Sequence, residues 1–342
     1  MKKLNNVLYI LTADSYLYCQ NDTIAVKIGG DEKVRIPSHT IESIVCFGNT
    51  TVSTPFIAFC SERKIGLTFL SDYGKFYGRI YGAVSGNVLL RKKQYQSMDD
   101  EVISTEIVLN ILYGKIANSK NVLLRGAREN SSKDSQNALY KAVEQLSEIA
   151  QAMSQADDII RLRGLEGVAA STYFGVFDHM LKTDDEQLRF VKRSKRPPEN
   201  AVNALLSFMY MLLKNDVQSA LETVGLDPAG GFLHALRPGR PSLALDIMEE
   251  LRSPLCDRLV LSLINLKQIK ADDFANEMDR VILSDKARRL VIDVWQKRKK
   301  EEIIHPYINE KISIGLIPYV QAQLLARFFR GDIVNYPPFI WR

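Results

Sequence analysis

The apolar residues of this chain change their repeat once, near residue 90, and that change sets the fold. Before it, residues 6–84 fall into short runs rich in β-branched and aromatic residues: NVLYIL, SYLYCQ, TIAVKI, KVRI and IESIVCF. The turn-forming stretches TADS, QND, GGDE and PSHT separate them, so the runs read as strands. GLTFLSDYGKFYGRIYG predicts two more strands around a Ser-Asp-Tyr-Gly turn. TPFIAFCSERKI predicts one helix, with Thr54 as its cap and Pro55 in its first turn. RKKQYQSMDDE then reads as a charged connector. Beyond it the repeat is helical over 99–126, 134–159, 163–182, 200–224, 243–252, 254–268, 284–300 and 315–329, with Gly and Pro mostly between these stretches. The expected fold class is α+β: a small β-rich N-terminal domain, residues 1–90, followed by a larger all-α C-terminal domain, residues 91–342.

The 342 residues suffice for two domains, each with its own core. A net charge of +5 permits nucleic-acid binding without demanding it, so the placement of charge carries the argument. Cys19, Cys46, Cys60 and Cys256 form no CxxC pair, and the N-terminus has no signal peptide; they read as reduced thiols of a cytoplasmic protein. No apolar run reaches the roughly 18 residues of a membrane span.

One charge stands out. In GLEGVAASTYFGVF, a helical wheel sets Glu166 in the arc of Ala169, Ala170, Tyr173, Phe177 and Met180, opposite Gly167, Ser171, Gly175, Asp178 and Lys182. A carboxylate on a buried face must be paired, hydrogen-bonded or metal-bound. Glu166 is therefore either a neutralised core acid or a site residue.

Of the four histidines, His234 lies in a Gly- and Pro-rich stretch, DPAGGFLHALRPGRPSLALDIMEELR. A helix follows, with Ser242 as its expected cap. Its acids Asp246, Glu249 and Glu250 fill one arc, opposite Ala244, Ile247, Met248 and Leu251. Such an arc ordinarily forms a solvated face, with Glu249 and Arg252 an i, i+3 ion pair. Combined with Glu166, it supplies one imidazole nitrogen and two or three carboxylates, a donor set suited to Mg²⁺ or Mn²⁺. Arg163 just before Glu166, Arg193, Lys195 and Arg196 in the basic run VKRSKRPPEN, and Arg237 and Arg240 just after His234 are the candidate DNA-binding residues. The runs RKKQ, KARR and KRKK could extend a DNA track, although solvated helix ends are the more ordinary reading. No H-E-x-x-H, P-loop or G-x-S-x-G is present, which removes the common protease, NTPase and hydrolase templates.

RGLEGVAASTYF, RSKRPPENAVNALLSFMYMLL, AGGFLHALRPGRPSLALDIMEELRSPLCDRLV and the ending YPPFIWR together resemble the CRISPR spacer-acquisition integrases, the large subunit of the adaptation complex, nearly end to end. The likeness is greatest to members from type I systems, of the I-C branch. The resemblance implies that Glu166, His234 and Glu249 coordinate a divalent metal, Mg²⁺ or Mn²⁺, and that Asp246 supports them. Many relatives carry aspartate where Glu249 stands, which leaves the division of roles between Asp246 and Glu249 open. Tyr173 matches a tyrosine near the family's site, although an aromatic core residue is an equal reading. Asn203 matches a recurrent position and reads as structural. The implied activity is antiviral spacer acquisition: the 3′-hydroxyl of a short DNA fragment attacks a phosphodiester at the leader–repeat junction. The implied partners are double-stranded DNA, a second copy bound through the β-rich domain, and a small ferredoxin-like subunit, in an assembly of four large and two small subunits. A nuclease or junction resolvase acting by hydrolysis would use the same ligands, and a non-catalytic DNA-binding scaffold would need none of them.

Overall fold

The strand-like runs become β1 (Asn6–Ile10), β2 (Ser15–Gln20), β3 (Thr23–Ile28), β4 (Asp31–Pro37), β5 (Ile41–Phe47), β6 (Thr50–Val52), β7 (Gly66–Leu70) and β8 (Phe76–Ile80). The computed structural model describes residues 6–71, 76–80, 82, 88–194, 197–277 and 280–341. Most of the turn expected between β7 and β8, at 72–75, lies outside them. The chain divides into two units, residues 1–86 and 87–342.

The first unit holds two four-stranded sheets, ordered β1-β5-β7-β8 and β4-β3-β2-β6. β1, β5 and β7 run parallel, and β8 pairs antiparallel with β7. β2, β3 and β4 form an antiparallel meander with β6 parallel to β2. Parallel neighbours need a crossover, and α1 (Thr54–Glu62) supplies the one between β5 and β7. Its cap is Ser53, whose hydroxyl accepts from the Phe56 amide at 3.2 Å; Thr54 is already helical. Leu17, Ile24, Ile44, Phe56, Phe59 and Leu67 close the core. Cys46 and Cys60 lie within it, and burial pushes each thiol up to about 12.

The second unit is built from α2 (Val88–Asp99), α3 (Glu101–Glu129), α4 (Lys133–Met153), α5 (Ile159–Gly175), α6 (Ala201–Val224), α7 (Ser242–Leu251), α8 (Arg258–Asn265), α9 (Asp285–Lys300) and α10 (Ile317–Arg330). Two expectations change here. The charged connector is helix α2, and its buried Gln94 has a long-range role. The Gln94 amide donates to the Asp227 and Gly230 carbonyls, both at 2.8 Å, and its oxygen accepts from the Asp227 amide at 2.9 Å. The unit is also not purely helical. Two short antiparallel pairs occur, β9 (Phe274–Glu277) with β10 (Arg280–Leu283), and β11 (Glu302–Ile304) with β12 (Lys311–Ser313). Strands of three or four residues are too short for alternation to register in sequence.

The segment after α10 folds back onto α3. The Asn118 amide donates to the carbonyls of Glu250 and Phe339, both at 2.7 Å, and its oxygen accepts from the Trp341 amide at 2.8 Å. Gly114 permits this approach: a Cβ there would stand 2.8 Å from Cβ of Pro338 and 3.1 Å from that of Glu250. Phe339 is fully buried. Phe339→Ala is expected to destabilise the second unit by about 3–5 kcal/mol, read as a lower urea midpoint. Val334→Ala, at a position 90% exposed, should leave the midpoint unchanged.

Candidate metal centre

Helix α7 carries the acids, and it is buried on both sides rather than presenting a solvated face. Asp246, Glu249 and Glu250 are 0%, 2% and 0% exposed. Each must therefore find donors or cations within the protein.

Asp246 takes the loop before its own helix. Its Oδ2 accepts from the amides of Phe232 at 2.6 Å and Leu233 at 3.1 Å, and its Oδ1 from that of His234 at 2.9 Å. Three consecutive amides curl around one carboxylate. Gly231 lets the loop lie against the start of α7, because a Cβ there would stand 2.6 Å from the Ser242 carbonyl carbon. Arg163 of α5 grips the loop from its other side, donating to the carbonyls of Leu233 at 2.5 Å and Phe232 at 3.3 Å. Pro241, not Ser242, occupies the cap position, and the Ser242 hydroxyl donates to the Ala235 carbonyl at 3.1 Å. His234 Nδ1 meets Asp246 Oδ1 at 2.6 Å. A carboxylate there places the ring proton on Nδ1 and leaves the Nε2 lone pair free. That nitrogen lies 3.8 Å from Oε1 of Glu249.

Glu249 sits between two cations. Its Oε1 is 2.7 Å from Arg252 Nη1, and its Oε2 is 2.8 Å from Lys115 Nζ. Burial alone would push this carboxyl up, but the charges of Arg252 and Lys115 outweigh it and hold the group at about 2. Lys115, on α3, also donates to Oε1 of Glu166. Burial works against the charge of Lys115; Glu249 and Glu166 overcome it and raise the ammonium above its ordinary value. Glu166 lies on the arc that the wheel predicts. Ala169 and Tyr173 are buried beside it, Gly167, Ser171 and Gly175 are exposed opposite, and the glutamate side chain is 28% exposed. It opens on a cleft lined by residues of α3, α5, α6 and the turn after α7. The expected helix over 163–182 ends at Gly175 and continues as a short 3-10 turn from Phe177 to Met180.

That turn after α7 is π-helical, Arg252–Asp257, and contains Pro254, which has no amide proton to keep the α-helical ladder. Arg252 and Glu249 form the i, i+3 pair read from the sequence, and the turn sets Asp257 against two tyrosines. Tyr173 donates to Asp257 Oδ2 at 3.0 Å and Tyr210 to Oδ1 at 2.6 Å. Burial pushes Asp257 up to about 6, against these hydrogen bonds. Tyr173 thus lines the cleft while its hydroxyl is committed to Asp257.

The candidate DNA residues separate into groups. Arg237 is exposed and Arg240 half-buried on the His234 loop, and neither side chain has a hydrogen bond or ion pair among the described residues. Arg193 lines the cleft but is held by Asn203 Oδ1 at 2.7 Å and Ser207 Oγ at 3.2 Å. Asn203 also accepts from the Ser194 amide and donates to the Lys192 carbonyl, the structural role expected of it. Arg163 serves the His234 loop. Lys195 and Arg196 lie outside the described residues. Sequence reading missed Lys115, Tyr210 and Asp257 as members of the site, and gave Arg252 correctly as the i, i+3 partner of Glu249 but on a solvated face. The wheel that singled out Glu166 would have found Lys115, whose helical neighbours Ile111, Leu112 and Ser119 are all buried.

Among the described residues, no three His, Cys, Asp or Glu side chains stand close enough to hold a metal ion as placed. The cation between Glu166 and Glu249 is the Lys115 ammonium. The donors themselves fit a hard divalent ion: two carboxylates already turned on one cation, and an imidazole nitrogen held open beside them. Oε2 of Glu249 is buried without a hydrogen bond, since Nζ is within reach but out of line.

Residues 8–297 match the family described as CRISPR associated protein Cas1. A CRISPR-associated endonuclease Cas1 of Moorella thermoacetica is 44% identical over 343 residues, spanning 100% of both chains. A Cas1 protein of Thermotoga maritima superposes with a TM-score of 0.82 at 25% identity, over 95% of this chain and 97% of that one. A chain of a Cas6-RT-Cas1–Cas2 complex superposes with a TM-score of 0.84 at 25% identity, over 100% of this chain and 36% of that one.

Asp257 gives a pH test. Its folded-state value of about 6 lies above its ordinary 3.8, so its stabilising contribution is complete below the ordinary value and is lost as pH rises through 6. Between pH 4 and pH 8 the wild type should lose up to about 3 kcal/mol relative to Asp257→Asn, which stays neutral throughout. Urea unfolding of both proteins across that range measures it, and parallel curves would refute the assignment.

Proposed function

The chain belongs to the CRISPR-associated Cas1 family, and on that premise we propose that it is a metal-dependent DNA integrase and endonuclease. It inserts short foreign DNA fragments into a CRISPR array by attack of a fragment 3′-hydroxyl on a phosphodiester. The observation that carries the reading is the convergence of Glu166 and Glu249, from separate helices, on one cation position with His234 Nε2 open beside it. Those three side chains would hold Mg²⁺ or Mn²⁺. A divalent ion there supplies Lewis acidity, polarising the scissile phosphate and favouring the deprotonated hydroxyl.

The chain's own residues do the rest. Asp246 fixes the ring and tautomer of His234 through Nδ1, so that Nε2 is the free nitrogen. Arg252 keeps Glu249 ionised in a site that excludes most water. Arg237 and Arg240, without side-chain partners among the described residues and on the loop that carries His234, would take DNA phosphates. Tyr173 contributes through the wall of the cleft, with Asp257 orienting its hydroxyl.

Two strands must be joined at separate points, so the working unit holds more than one copy of this site. In this reading the β-rich unit mediates a homodimer, and the small partner subunit corresponds to the Cas2 named in the complex to which this chain is similar. The described helices include none long and apolar enough to cross a membrane, in keeping with action on DNA in the cytoplasm. The word endonuclease in the relatives' names favours hydrolysis as a second outcome of the same site. The products separate the two: joined DNA from strand transfer, cut DNA alone from hydrolysis.

With a short duplex carrying free 3′ ends, a leader–repeat target, the small partner and Mn²⁺, wild type should give joined product. Glu166→Ala and His234→Ala should each lower the rate about 100-fold or more, in the range for loss of a group that acts on the transition state. EDTA should abolish joining. Joining at wild-type rate in both variants would refute the reading.

A further inference from the structure

The cation between Glu166 and Glu249 is part of the chain, and this constrains how the site can load. We propose that Lys115 is a displaceable resident counter-ion: in the metal-free protein its ammonium occupies the place that a divalent ion takes, and the ion binds only when that ammonium swings out into the cleft. The proposal rests on the metal-centre reading above.

Space argues for it first. Both carboxylates converge on Nζ, with Glu249 Oε2 at 2.8 Å and Glu166 Oε1 also in contact. Among the described residues no three potential ligands are close enough to hold a metal as they stand. An ion entering between the glutamates meets the ammonium in the position where it would bind.

Charge argues for it next. Two carboxylates, Glu166 and Glu249, face two cations, Lys115 and Arg252, and their charges cancel. Adding a divalent ion with both cations in place would set like charges in contact inside a buried site, a steeply repulsive arrangement. One cation must leave. Arg252 is the poorer candidate. Its guanidinium pairs with one oxygen of Glu249 at 2.7 Å and lies over the Tyr210 ring, 5.1 Å from its centroid; it makes no ion pair with Glu166, so it does not stand between the two glutamates as Lys115 does. Lys115 is the better one. Its ammonium sits on a flexible four-carbon stem. Its contact with Oε2 of Glu249 is out of line for a hydrogen bond and leaves that oxygen unsatisfied. Its side chain is 14% exposed and lies on the wall of the cleft, so it can swing out without opening the core.

Lys115 would then do two things before the metal arrives. It keeps two carboxylates together that would otherwise repel, so the ligands are arranged in advance. It also sets a threshold, because weakly bound cations have to outcompete a tethered ammonium.

Calorimetric titration of the DNA-free protein with Mn²⁺ tests this, using wild type, Lys115→Met, Lys115→Gln and Glu249→Gln, each checked for folding by circular dichroism. Lys115→Met is expected to bind Mn²⁺ about tenfold more tightly than wild type. In EDTA it should melt below wild type, and Mn²⁺ should raise its midpoint more than it raises the wild-type midpoint. Lys115→Gln keeps much of the length without the charge and should show the same tightening, so a folding failure of the methionine variant leaves a second reading. If both lysine variants bind Mn²⁺ no more tightly than wild type while Glu249→Gln loses binding, the displacement proposal is overturned and the metal centre stands. If wild type and both lysine variants bind no Mn²⁺, or if Glu249→Gln binds as well as wild type, the metal-centre reading falls and the proposal falls with it.

Discussion

Three carboxylates on one buried helix are the constraint around which the second unit is organised. An acid removed from water requires donors or cations, and α7 has too few of its own. Asp246 gathers the loop at 232–234, Glu249 draws Lys115 from α3 and Arg252 from the next turn, and Glu250 draws Gln321 from α10 and Tyr336 and the Phe339 amide from beyond it. α3, α10 and the turn after α7, which supply several of these groups, all pack against it.

Adjacent positions on that helix have opposite electrostatic outcomes. Glu249, flanked by cations, is held far below an ordinary carboxyl, whereas burial pushes Glu250 up to about 7 against donors that are all neutral. Asp257, also served by neutral hydroxyls, is raised to about 6. Burial thus discourages negative charge at Glu250 and Asp257, whereas Glu249 keeps its charge because two cations meet there. The residue types are alike; their neighbours decide which of them is a firm anion.

Much of this was legible in the sequence. The single change of hydrophobic repeat marked the β-rich and helical regions, and the wheel put Glu166 beside Ala169 and Tyr173, where it lies. The relation of His234 to Asp246 and Glu249 came from resemblance more than from spacing. What was missed has a common cause: a wheel sees one helix at a time. It assigned the acids of α7 to solvent because it could not see α3, α10 and the 336–341 segment covering that side. A wheel would show Lys115 on a buried arc of α3, but not the two glutamates from other helices with which it pairs. Gln94 looked like part of a charged connector because its partners, the Asp227 and Gly230 backbone groups, are more than 130 residues away in the chain. The division of labour between Asp246 and Glu249, open in the sequence, corresponds in the structure to different surroundings. Asp246 faces amides and an imidazole, and Glu249 faces cations.

The fold-back of the 336–341 segment onto α3 and α7 bears on the order in which the protein is made. Tyr336 follows its partner Glu250 by 86 residues. While those residues are being synthesised, α7 has left the ribosome with a buried-type carboxylate whose donors do not yet exist. Glu250 is then better solvated than packed. A nascent chain therefore carries Glu250 without its donors until Gln321, Tyr336 and Phe339 have been made.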